Sequence, residues 1–451
     1  MFHYIRFIFS AGSAQEQKIQ GSGSFCRDTL SGLLCAPGQD RKSPAPSHKA
    51  APSSSDDKMS RYQQYQILFR ASLFLLFAAF FLRFPLTAEA AEPLRVTYGF
   101  DREFPPFSYE SPGGQPTGFE VELMQAVFHG TQVNLAYRPL QWDRIGLELS
   151  AGSVTLTTGM VQTEQRSKLY LFSEKPTFPL QIKVFTKTFN RVPSLNMLRG
   201  QTVAVEQGTY QHRLLENFGG INIKTYPNRV DGLRALYRDE VAAYCAPVQN
   251  TYFYINKLNF GAITTVGTPL GLTEMRVAIA RGRGDIQRIV NEGIARVHAS
   301  GEYNRLYRKW FVRELSDQEQ EVMVTTAIRA AIPAYVPYSK KGQGAVVLTA
   351  TGKVFSACTV ENAVPELSLS ALRGAVSRTV SDGEFEFRAA VIVDPEGAII
   401  APSNDELQVL HEFGAGVLVM LPTEKGGIET KMVAELLPNP VVKQIGLIQA
   451  D

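Results

Sequence analysis

Cysteine is scarce in this chain: four occur in 451 residues, at Cys26, Cys35, Cys245 and Cys358, and no two form a C-x-x-C pair. That scarcity excludes a cysteine-ligated zinc site, which needs clustered thiolates. Cys245 and Cys358 fall in segments assigned below to different domains, so both are read as buried free thiols and not as a disulfide. Charge of one sign is equally lacking. The 46 basic and 43 acidic residues leave a net charge of +3 and are spread along the chain. This excludes a nucleic-acid footprint and leaves small neutral or charged molecules as partners. The conspicuous apolar run, Ala71–Leu82, has 12 residues, well short of the ~20 a spanning helix needs.

What is present begins with a biased N-terminus. Residues 1–58 are rich in Ser, Gly, Pro and Lys and carry no hydrophobic period beyond Phe2–Phe9, so disorder is expected there. Met59 opens a second beginning, with Arg61 and Arg70 ahead of the apolar run and Ala88-Glu89-Ala90 behind it. Basic, apolar and small-residue segments in that order predict a secretory signal peptide over residues 59–90, cut before Ala91, with translation starting at Met59. An exported, extracytoplasmic protein follows.

From Leu94 onward, β-rich runs alternate with helical patterns. Strands are predicted at Leu94–Gly99 and Val133–Tyr137, and helices at Phe119–Val127 and Trp142–Ala151. A second series places strands at Thr202–Glu206 and Ile221–Thr225, with helices at Thr209–Asn217 and Arg229–Tyr237. Such alternation predicts βαβ units, a mainly parallel sheet and two α/β lobes.

The motifs Phe104-Pro105-Pro106-Phe107, Gly118-Phe119-Glu120-Val121, Gly159-Met160, Thr163-Glu164-Gln165-Arg166, Val205-Glu206-Gln207-Gly208-Thr209 and Lys309-Trp310-Phe311 occur in one order across residues 94–312. In that order they resemble family 3 of the bacterial extracellular solute-binding proteins. The resemblance implies a two-lobed periplasmic-binding-protein type II fold over residues 91–316. Lobe 1 would span about 93–185 and 275–315, and lobe 2 about 186–274. Crossing strands are expected near Val184–Lys187 and Leu272–Val277. It also implies capture of a small anion or amino-acid-like ligand for an ABC permease or a membrane sensor.

The family positions fall on specific residues. Arg166 stands where a guanidinium grips a ligand carboxylate, a task suited to its planar fork. Gly159 lies in the preceding segment. Thr209 and Tyr210 open a predicted helix whose free N–H groups favour anions, although Thr209 as a plain N-cap explains the same residues. By the resemblance Phe104 and Trp142 take the aromatic positions that sandwich a ligand, with core packing as the alternative, and Asp101 the position that receives a distal amine, with a solvated loop carboxylate as the alternative. Two departures stand out: Val161 replaces a hydroxyl residue, and the acidic partner of an α-ammonium becomes Ala246. A buried ammonium without a counter-charge costs several kcal/mol, so a small carboxylate is expected ahead of an ordinary amino acid.

After the polar stretch Ser316–Gln320, read as a linker, a helix is predicted over Val322–Ala331. Further strands are predicted at Ala345–Thr349, Lys353–Ala357, Arg388–Val393 and Gly416–Leu421, and helices at Ser368–Val380 and Asp405–Phe413. The runs Val360-Glu361-Asn362-Ala363, Val380-Ser381-Asp382-Gly383 and Ala434-Glu435-Leu436-Leu437-Pro438 lie in an order that resembles the small cytidine deaminases. The resemblance implies a three-layer α/β/α domain over residues 320–451. Zinc deaminases need three Cys/His ligands and a glutamate acid/base. Here those positions read Ser370, Leu372, Ser403 and Glu406, so no metal, no cofactor and no deamination are expected. Glu361 matches a ribose-binding residue, leaving nucleoside binding, or residual deamination, as the alternative; a turn carboxylate satisfying backbone donors is the plainer account. The retained scaffold is expected to serve homo-oligomerisation or docking.

Overall fold

The β-rich runs of the first half pair into one nine-stranded sheet whose order is 222–226, 202–206, 243–247, 178–187, 263–280, 156–161, 94–101 and 133–140, with 170–172 joining 263–280. Residues 61–82, 92–188 and 195–442 are described by a computed structural model. Pairing is parallel at both ends of the sheet and antiparallel in the middle. The parallel ends are the two expected lobes. Their strands are apolar because helices cover the sheet. Val96, Tyr98 and Phe100 are fully buried in one lobe, and Val203, Ala204 and Val205 in the other.

The lobes share two long strands, Phe178–Lys187 and Ile263–Ala280, paired antiparallel with a register shift between Val266 and Gly271. They contain both expected crossing segments, and the first begins earlier than the sequence indicated. Helix Arg229–Tyr237 lies where predicted, and helix Tyr210–Phe218 begins one residue later, with Thr209 as its N-cap.

The second domain has five strands in the order 354–358, 344–349, 387–393, 418–422 and 428–432. Successive residues of strand Gly344–Thr349 point to opposite faces. Ala345 and Val347 pack with Ala371, Leu372 and Leu410, whereas Val346 and Leu348 pack with Met323 and Ala327. Helices therefore cover both faces, giving the α/β/α layering. Gly344 permits the closest approach, since a Cβ there would lie 2.0 Å from the Ala327 carbonyl oxygen.

The supposed linker is the start of a helix. Asp317–Ala331 is helical and Ser316 is its N-cap. The Ser316 and Glu319 side chains each take up the other's backbone N–H. Glu319 also holds Arg388 at 2.5 Å. The thiols need a second correction: both are free, but Cys358 is only partly buried.

The chain divides into two compact units, residues 1–89 and 90–451. Within the first, Arg61–Leu82 is helical and exposes Ile67, Leu68, Phe69 and Phe74. Among the described residues no helix is long and apolar enough to cross a membrane. The expected disordered segment 1–58 and the cleavage site before Ala91 lie outside the described residues.

Candidate functional site

Between the lobes lies a cleft partly open to solvent and lined by Asp101, Phe104, Trp142, Gly159, Arg166, Thr209 and Tyr210 together with Glu206, Gln211, Arg229 and Asn250. Seven of the eight sequence-predicted binding residues meet here. Ala246 is the exception: it is fully buried and packs with Phe185 and Ala204 behind the cleft wall.

Strand Leu156–Val161 and the short helix Glu164–Leu169 set the position of Arg166. Thr163 caps that helix by accepting the Arg166 N–H at 3.2 Å, and Arg166 Nη1 donates to the Val161 carbonyl at 2.9 Å. The guanidinium lies over the Trp142 ring, 5.6 Å from its centroid. Among the described residues no carboxylate pairs with it. Burial, and then the like charge of Arg213, lower its pKa to about 10, so it remains cationic at neutral pH. Gly159, at φ +72°, carries the backbone past the Phe104 ring in a conformation that side chains disfavour.

Thr209 lines the cleft and is also the N-cap. Its hydroxyl donates to the Glu206 carbonyl at 2.7 Å and accepts the His212 N–H. The plain N-cap account of this residue is met by its hydroxyl.

Sequence reasoning missed the charged cluster opposite Arg166. Arg229 Nε and Nη2 donate to the two Glu206 carboxylate oxygens at 3.0 and 3.1 Å, and Nη2 reaches Asp101 at 3.0 Å. Its Nη1 donates to the Glu103 carbonyl at 2.6 Å, and the guanidinium lies 4.7 Å from the Phe104 ring centroid. Burial opposes the Arg229 charge, but Glu206 and Asp101 outweigh it and hold its pKa above the ordinary range. The cluster bridges the lobes, because Asp101 and Glu103 come from one and Glu206 and Arg229 from the other. Asn250 and Tyr254 add further bonds across the gap, to the Pro105 and Glu103 carbonyls.

One local signal pointed to Arg229. It is the first residue of its helix, where a cation opposes the helix dipole and needs another reason to be there.

In the second domain the residues expected at deaminase-type positions make local contacts. Ser370 is an N-cap accepting the Arg373 N–H, and Leu372 is fully buried. Glu406 accepts from both the Ser403 N–H and its hydroxyl at 3.0 Å. Glu361 accepts the backbone N–H groups of Tyr338 and Ser339; the Ser339 hydroxyl first, and then these two N–H groups, lower its pKa. No group of three or more His, Cys, Asp or Glu side chains suited to a metal occurs among the described residues.

Comparison with known proteins matches the two halves separately. A model of bacterial extracellular solute-binding proteins, family 3, covers residues 96–313, and one of the cytidine and deoxycytidylate deaminase zinc-binding region covers residues 300–403. The L-cystine-binding protein TcyJ of Escherichia coli is 28% identical over 224 residues, which are 47% of this chain and 81% of that protein. A cytidine deaminase of Sporosarcina psychrophila is 38% identical over 126 residues, 28% of this chain and 92% of that protein. A crystal structure of the substrate binding protein of an amino acid ABC transporter is 23% identical, covering 48% of this chain and 99% of that one with a TM-score of 0.44.

Proposed function

We propose that this chain, which belongs to family 3 of the bacterial extracellular solute-binding proteins over residues 96–313 and to the cytidine deaminase family in its C-terminal domain, captures a small carboxylate-bearing solute outside the cytoplasm. The observation that carries the reading is Arg166, a half-buried guanidinium facing the cleft with no carboxylate paired to it among the described residues. An uncompensated cation in a partly dry cleft favours an anionic ligand, and its planar fork suits two carboxylate oxygens. The named ligand of TcyJ, L-cystine, is an amino acid and carries that group.

Calorimetric titration of the full chain with L-lactate and L-alanine tests this. Arg166→Ala is expected to weaken binding about 100-fold, the loss of two charge-assisted hydrogen bonds at roughly 1.5 kcal/mol each. Unchanged affinity would remove Arg166 from the site. Export would follow from the 59–90 signal, and delivery to an ABC permease or a membrane sensor from closure of the lobes.

The C-terminal domain is proposed to be a scaffold without deaminase chemistry. Ser370, Leu372 and Ser403 are not zinc ligands, and the Glu406 carboxylate is engaged in capping its own helix. Nucleoside binding through Glu361 has less support, because two backbone N–H groups already hold its carboxylate. Self-association is favoured by an exposed apolar patch. Tyr335, Val360 and Leu369 are joined by isolated bridges, with Tyr338, Val364 and Leu367 exposed nearby in sequence. Light scattering and a cytidine absorbance assay on one full-length sample address both points. An oligomer that leaves cytidine unchanged is expected; a monomer counts against the first, uridine formation against the second.

A further inference from the structure

We propose that Arg229 is a built-in occupant of a cation subsite in the cleft, restricting the ligand to one with a short, uncharged side chain. The proposal rests on the reading of Arg166 as the carboxylate anchor only for where the ligand's other end lies.

Two carboxylates above an aromatic face form a site for a planar cation, since the carboxylates supply charge and acceptors and the ring supplies its negative face. Asp101, Glu206 and Phe104 form such a site, all three at most 7% exposed. The side chain that fills it belongs to the protein. Arg229 engages both Glu206 oxygens and one Asp101 oxygen, and stacks on Phe104. The second Asp101 oxygen accepts the Glu103 N–H at 2.9 Å. A ligand guanidinium, ammonium or imidazolium reaching this end of the cleft meets a like charge in place of the carboxylates. It would have to displace a buried arginine held by four hydrogen bonds to gain them.

Of the charged side chains lining the cleft, Asp101, Glu206 and Arg229 form a cluster of net charge −1, and Arg166 carries the opposite charge. Arg229 hydrogen-bonds both acids, whereas among the described residues no carboxylate pairs with Arg166. One set of contacts thus sets selectivity and also ties the lobes, because Arg229 reaches Asp101 and Glu103 across the gap.

The test is gain of binding. Arg229→Ala vacates the subsite with both carboxylates in place, and the double variant Glu206→Gln/Arg229→Ala, which retains Asp101 and Phe104 and keeps the cluster's net charge unchanged, guards against unfolding of the single variant. Calorimetry of the full chain with L-arginine and L-alanine is the readout. Wild type is expected to bind L-arginine at least about tenfold more weakly than L-alanine, and the vacated variants to gain L-arginine affinity by a similar factor. Methylguanidinium should raise the melting temperature of Arg229→Ala and leave wild type unmoved. A folded vacated variant that gains no L-arginine affinity overturns the proposal, as does wild type binding L-arginine as tightly as L-alanine. A gain of L-arginine binding that survives Arg166→Ala would leave the subsite standing and count against the Arg166 anchor instead.

Discussion

Glu386→Ala is expected to destabilise the protein by about 3–5 kcal/mol, the cost of leaving a buried charge without its partner. Lys183 sits in crossing strand Phe178–Lys187 with its side chain 1% exposed, and its ammonium meets Glu386 Oε1 of the second domain at 2.6 Å. The same ammonium lies 5.7 Å from the Phe385 ring centroid. Removing Glu386 strands the cation against apolar neighbours. Lys183→Met should cost less, because Glu386 is 23% exposed and its carboxylate can turn to water. Denaturant unfolding of both variants and of Lys183→Met/Glu386→Gln measures this, with the double variant expected nearest to wild type. A loss below about 1 kcal/mol for Glu386→Ala would mean that water reaches Lys183. The contact also places the second domain on a strand shared by both lobes, so its loss is expected to alter ligand affinity as well as stability.

The second large effect is a pH dependence centred on Glu120. Burial pushes the pKa of this carboxyl up to about 7, against the opposing Thr177 and Thr158 hydroxyls; the Thr177 hydroxyl donates to Oε1 at 2.8 Å. In the unfolded chain the group titrates at its ordinary value near 4.5. Between those values the native state binds more protons than the unfolded state, so stability falls as pH rises. The stabilising contribution is complete below about 4.5 and gone above about 7. That difference corresponds to about 3 kcal/mol. Glu120→Gln keeps an acceptor for Thr177 and cannot ionise. It should remove this slope and exceed wild type in stability above pH 7. Parallel unfolding curves for the two proteins from pH 5 to pH 8 would contradict the assignment.

Much of the architecture was legible because strand and helix periods are local. Helix Arg229–Tyr237 and strand Thr202–Glu206 lie where apolar spacing placed them. The start of helix Asp317–Ala331 was legible and misread: Ser316 followed by Glu319 is a capping pattern, yet its polarity suggested a linker. Seven of the predicted cleft residues converge because motif order carried them. Ala246 did not, because strand Ala243–Pro247 turns that side chain into the core behind the cleft.

The amino-acid order alone determined which groups the molecule has to work with: Arg166 at the head of a capped turn, and Ser370, Leu372 and Ser403 at positions where the deaminase resemblance would put thiolates and an acid. These are properties of residue type and near neighbours, and no folding is needed to read them. Tertiary structure decided how the charges pair. Arg229 meets Asp101 across 128 residues, and Lys183 meets Glu386 across 203. Local periodicity carries no record of such partners, because attraction between charges depends on distance in space and on exclusion of water, and both arise only when the lobes and the second domain pack together.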